Sequence, residues 1–119
     1  MPIRSSSDSD PALTRDKIIE IVRQATALLG GRIGVCVAAH RIRDLAYAIY
    51  REPWDQPDLN AFLVIETQTD HLPVDRGRHH WDPIALQQKD EEIKSVDALY
   101  RDRALSAAQQ IVEDPRYRL

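Results

Sequence analysis

A chain of 119 residues with a net charge of −3 and a pI near 5.8 has the size of one domain and lacks the basic balance that marks most nucleic-acid binders. Apolar residues make up 43% and charged residues 29%, a globular balance that argues against wholesale disorder. The lone cysteine, Cys36, excludes an intramolecular disulfide and a cysteine-rich zinc site.

The opening stretch 1-MPIRSSSDSDPALTR-15 is polar and has no apolar segment of the secretory kind. Residues 1–9, rich in Ser and Asp, are expected to form a flexible tip ahead of a single helical domain spanning 10–119. Asp10-Pro11 offers a helix cap followed by proline in the first turn, with Thr14 as a second candidate cap. Ile18, Ile21, Val22, Ala25, Leu28 and Leu29 then make one stripe at helical spacing, and Gly30-Gly31 supplies the left-handed stop. A second helix is predicted over about 32–51. Val35, Ala38, Ala39, Ile42, Leu45, Ala46, Ile49 and Tyr50 trace its apolar face, Arg41, Arg43 and Asp44 take the other side, and Pro53 closes it. So short a connection predicts antiparallel packing of the two helices.

After the loop 51-REPWDQPD-58, the segment 58–70 reads two ways: Phe62-Leu63-Val64-Ile65 has the apolar run of a buried strand, whereas Leu59, Phe62 and Leu63 fit a helix capped by Asp58. No second strand-like run is present to take a lone strand's hydrogen bonds, so a short helix is favoured. Asp82-Pro83 repeats the cap-plus-proline signal and opens a last helix predicted over 83 to about 113. Its stripe is Leu86, Ile93, Val96, Tyr100, Ala104, Ala107 and Ile111, thinned by 88-QKDEEIK-94, and Asp114-Pro115 stops it. The fold expected is all-α: a single-domain up-down bundle of three long helices plus a short fourth.

The stretch 68-QTDHLPVDRGRHHWDP-83 gathers three histidines, three aspartates, two arginines and a tryptophan. Asp70, His71, Arg78, His79 and Trp81 are therefore the candidate functional or structural corner. His71, His79 and His80 with Asp70, Asp75 and Asp82 are ligand types for zinc, manganese or iron, but no H-x-x-x-H or H-E-x-x-H pair fixes a geometry, and no metal is assigned. A His–Asp neighbourhood also suits proton transfer. Neither G-x-S-x-G, a glycine-rich phosphate loop nor a Cys–His signature accompanies it, and Cys36 reads as a packed core thiol. The plainer reading is that the segment satisfies its own backbone: Asp70 and His71 bond loop amides and carbonyls, Leu72-Pro73 pins the turn, and Trp81 covers the joint. Trp54, Trp81, Tyr47, Tyr50 and Arg78 are residue types that dominate binding hot spots, and Trp54 stands in a proline-flanked loop where exposure would be informative. Trp81 is the better candidate for a plug at the bundle's end. Arg41, Arg43, Arg76 and Arg78 are the one basic grouping from which a nucleic-acid site could be drawn.

Ile65-x-Thr67-x-Thr69-Asp70-His71-Leu72-Pro73, then Arg78, Trp81 and Lys89-Asp90-x-Glu92-Ile93, resemble a small bacterial family of unknown function with the signature S-E-T-D-H-L-P-x-G-x-x-R-x-x-W followed by K-D-x-E-I. The resemblance covers residues 16–112 and implies no activity, substrate or cofactor. Gln68 stands where that signature has Glu, and Asp75 where it has Gly, which counts against a catalytic or ligating carboxylate at position 68. The function expected is therefore that of a non-enzymatic interaction or regulatory protein, such as an immunity-like partner for another bacterial protein. The alternative is a metal-dependent or acid–base enzyme centred on Asp70-His71. Another protein or a second copy of the chain, as a homodimer, is the expected partner. The acidic balance disfavours nucleic acid. The longest apolar runs, 35-VCVAA-39 and 61-AFLVI-65, are too short to cross a membrane. No cofactor is expected, and the single unpaired cysteine suits the cytoplasm.

Overall fold

The computed structural model describes residues 11–72 and 81–117, so the expected flexible tip lies outside the described residues. Four α-helices follow one another: α1 (Pro11–Leu29), α2 (Val35–Ile49), α3 (Pro57–Thr69) and α4 (Pro83–Glu113). Single 3-10 turns, Pro53–Asp55 and Pro115–Tyr117, precede α3 and follow α4. Among the described residues there is no strand, and the segment 58–70 is helical. In sequence order each helix packs on the next, and α1 closes the ring against α4, so the chain is a helical bundle.

The stripe read on α1 becomes the core. Ile21, Ala25 and Leu28 are buried, and Ile18, Val22 and Leu29 pack on its edge. The helix ends as its glycines require: Gly31 adopts φ +74°, and Gly30, Gly31 and Arg32 return their N–H groups to Thr26, Leu28 and Ala27. On α2, Val35, Ala38, Ala39, Ile42, Ala46 and Ile49 face inward. The many alanines let α2 lie close to both neighbours, while Phe62, Leu59 and Ile65 of α3 fill the centre. Because Leu59, Ala61, Phe62, Leu63, Ile65 and Thr69 are all buried, α3 is enclosed on most sides. That enclosure explains why its sequence also resembles a buried strand.

Asp58 does not cap α3. Gln56 precedes the helix, Pro57 opens it, and Asp58 is buried in the first turn. There it accepts from Leu59 N at 2.9 Å and pairs with Arg116 at 3.2 Å. Arg116 also holds Asp114 at 2.6 Å and donates to Gln56, so the C-terminal turn clasps the start of α3. Tyr117 is buried beside it. Asp82 does cap α4, accepting from Ile84 N at 3.1 Å and Ala85 N at 3.2 Å.

At about 1.5 Å per residue α4 is about 46 Å long, which matches the 47 Å long axis of the molecule. Its fully buried residues are Ala104, Ala107, Ala108 and Ile111, all in the C-terminal third. Ile84 and Leu99, further toward its start, are 70% and 75% exposed. None of the helices among the described residues is long and apolar enough to cross a membrane.

Candidate functional site

Chemistry-bearing side chains gather along one edge of the bundle, where α2 meets α3. His40, Arg43 and Tyr47 follow a single stripe of α2 at i, i+3 and i+7. Opposite them on α3 stand Thr69 and Glu66. Thr69 is fully buried and its hydroxyl donates to Ile65 O at 2.8 Å. With that proton committed, the hydroxyl oxygen accepts from His40 Nε2 at 3.1 Å, and Thr69 O lies 3.2 Å from the same nitrogen. The last turn of α3 is thus tied to the middle of α2.

The corner that follows divides its residues by role. Leu72 N closes a turn onto Thr69 O at 3.0 Å. Leu72 itself is buried against Cys36, in a small apolar cluster completed by Val37, Ile93 and Val96. His71 is half exposed and donates from Nε2 to Glu92 Oε2 at 2.6 Å, joining the corner to α4. That bond holds the Glu92 carboxyl below its ordinary value, with Lys89 at 3.5 Å helping and desolvation opposing. Asp70 is exposed, and among the described residues it has no side-chain partner. Trp81 is half buried just before α4. Arg78 and His79, with His80, Asp75 and Arg76, lie outside the described residues. Among the described residues, no group of three or more His, Cys, Asp or Glu side chains is placed to hold a metal ion.

Two turns along α2 the same edge opens into an aromatic ledge. Tyr47 and Trp54 are 47% and 50% exposed, and their rings stand 6.4 Å apart at 52°. Pro53, buried, fixes the 3-10 turn that carries Trp54. The Arg43 guanidinium lies 4.8 Å from the centre of the Tyr47 ring. Arg43 is itself held by Asp44 at 3.0 Å and faces Glu66 at 3.6 Å, an ion-pair distance slightly beyond a hydrogen bond. The ledge is therefore positioned before anything binds. A proline on either side of Trp54, and Tyr47 set off the apolar stripe of α2, were the sequence signals for it.

One residue escaped sequence reading. The start of α2 has no side-chain cap of its own, because Gly34 occupies that position. Asp97 of α4 supplies the cap across the interface, accepting from Cys36 N at 2.8 Å. A Cβ on Gly34 would lie 2.5 Å from Asp97 Oδ2, so glycine is what lets the carboxylate approach. Burial pushes the fully enclosed Cys36 thiol well above its ordinary range, and the hydrogen bond and charge of Asp97 push the same way. Cys36 is a buried core thiol, and both its enclosure and the raised value disfavour the thiolate form. An acidic residue on a long polar helix, with Glu92 and Asp102 five positions to either side, carries no mark of such a role, so Asp97 was invisible in the sequence.

The described residues define a small helical bundle with a polar corner tied to α2 and α4 and an open aromatic ledge. No family model, no curated protein and no solved structure matches the chain.

Proposed function

We propose that this chain works by binding, as a cytoplasmic interaction or regulatory protein that engages another protein through the ledge of Tyr47 and Trp54. The observation that carries the reading is the exposure of two adjacent aromatic rings, Tyr47 with Arg43 against its face and Trp54 carried on the 3-10 turn that the buried Pro53 opens. Trp, Tyr and Arg supply most of the energy at protein interfaces. Side chains already fixed by neighbours lose little freedom on binding, so more of the contact energy appears as affinity. The partner class is a folded protein with an apolar recess for Trp54, as an immunity-like role would require.

A second reading, acid–base chemistry at Asp70-His71, is favoured by the 2.6 Å His71–Glu92 pair. Both members are about half exposed, with side-chain accessibilities of 51% and 41%, and such solvent contact weakens their mutual effect. The ledge is the better-supported site.

The test is affinity capture from source cells with the wild-type chain and with Tyr47→Ala/Trp54→Ala. A protein retained stoichiometrically by the first and lost by the equally folded second supports the ledge. Equal retention by both overturns it.

A further inference from the structure

The turn between α1 and α2 meets the middle of α4 in a cleft of about 550 Å³. That volume lies within the range of small-ligand sites. We propose that this cleft binds a small organic anion, an apolar body of about ring size carrying one phosphate or carboxylate.

Three cations border the cleft, Arg32 from the turn and Lys94 and Arg101 from α4, against the single carboxylate of Asp97. The local balance is positive in a chain whose net charge is −3. Asp97 is directed at the start of α2, where it accepts from Cys36 N, so a carboxylate already occupies one of the amides there that could attract an anion. The ligand's charge is met by the side-chain cations instead. Lys94 has an exposed partner, Glu91, at 3.6 Å, a contact that solvent weakens. Neither Arg32 nor Arg101 pairs with a carboxylate among the described residues. Two unpaired guanidinium groups facing one recess suit the planar, multi-oxygen geometry of phosphate and carboxylate.

The remaining walls are apolar. Leu28 and Val35 form the buried side, and Ile33 and Leu105 the half-buried rim. A free inorganic anion would leave these walls wet, whereas a ligand with a hydrocarbon body covers them. The backbone around the recess is fixed by Gly31 at positive φ and by the close approach of Gly34 to Asp97. Along the α2 axis the cleft stands about 18 Å from Tyr47, at 1.5 Å per residue, so it is separate from the aromatic ledge.

The experiment is an amide-detected NMR titration of the full chain with 1-naphthyl phosphate, and in parallel with 1-naphthol and with inorganic phosphate. The expected result is saturable shifts confined to residues 31–35 and 94–105 with naphthyl phosphate. Its affinity should exceed that of either comparison compound by roughly tenfold or more, and fall by a similar factor in Arg32→Gln/Arg101→Gln, both charges being at the surface and each tenfold step corresponding to about 1.4 kcal/mol. Absence of saturable shifts, naphthol binding as tightly, or unchanged affinity in the variant would each overturn the site. Inorganic phosphate matching naphthyl phosphate would overturn the assignment of an apolar ligand body.

Discussion

The corner at 69–72 and the ledge at 43–54 are both built on α2, through His40 and through Tyr47, yet they use their polar and aromatic groups differently. At the corner, Thr69 is bonded to His40, His71 to Glu92 and Leu72 to the apolar cluster around Cys36. These groups are committed to one another. At the ledge, Arg43 is restrained by Asp44 and Glu66 while Tyr47 beside it, and Trp54 beside Tyr47, stay open to solvent. The expected bonds from Asp70 and His71 to loop backbone are not what the described residues show: His71 pairs with a side chain of α4, and Asp70 faces solvent. A large aromatic group fixed in place but uncovered is the better pointer to function.

That contrast predicts where substitutions act. The largest effect is expected at the corner: Leu72→Ala should cost about 2–4 kcal/mol of unfolding free energy in a denaturant titration, because Leu72 is 5% exposed and its loss leaves a cavity beside Cys36. Next comes the cap beneath that cluster. Asp97→Ala and Gly34→Ala should each cost about 1 kcal/mol, the first by deleting the acceptor for Cys36 N and the second by pushing it away. Since both remove one interaction, the double variant should cost clearly less than the sum of the two. At the ledge, Trp54→Ala should change stability by no more than about 0.5 kcal/mol while abolishing capture of the partner. A loss of several kcal/mol there would make Trp54 a structural plug.

The smallest effect belongs to the exposed His71–Glu92 pair and is one of pH. A carboxyl whose folded-state value is depressed contributes stability that is fully present above its unfolded value and is lost as pH falls through the folded one. For Glu92 the unfolded value is 4.5, and the bond from His71 lowers the folded one. Wild type should therefore melt slightly above Glu92→Gln at neutral pH, and the difference should vanish well below pH 4.5. A difference that persists in acid would assign the effect to packing.

Much of the fold was legible because periodicity and punctuation agreed. The apolar stripe and Gly30-Gly31 set α1, and proline with a side-chain acceptor set the start of α4. The span of α3 was ambiguous for a physical reason: a helix buried on most faces loses the polar side that distinguishes it from a strand. The clasp of Arg116 on Asp58 and the cap from Asp97 join residues roughly sixty positions apart, and local pattern carries no record of such pairs. Of the five corner candidates, His71 and Trp81 fall in structured contact or partial burial, Asp70 faces solvent, and Arg78 and His79 lie outside the described residues. The ledge was legible in residue types and in the proline-flanked setting of Trp54, but its exposure was not, since exposure is a property of packing.

The central claim is most directly tested by photo-crosslinking in source cells with a photoreactive side chain placed at position 54 in one variant and at position 71 in another. The account predicts that position 54 crosslinks to one discrete protein and that position 71 does not. A discrete crosslink from position 71 with none from position 54 would contradict it and return the function to the corner.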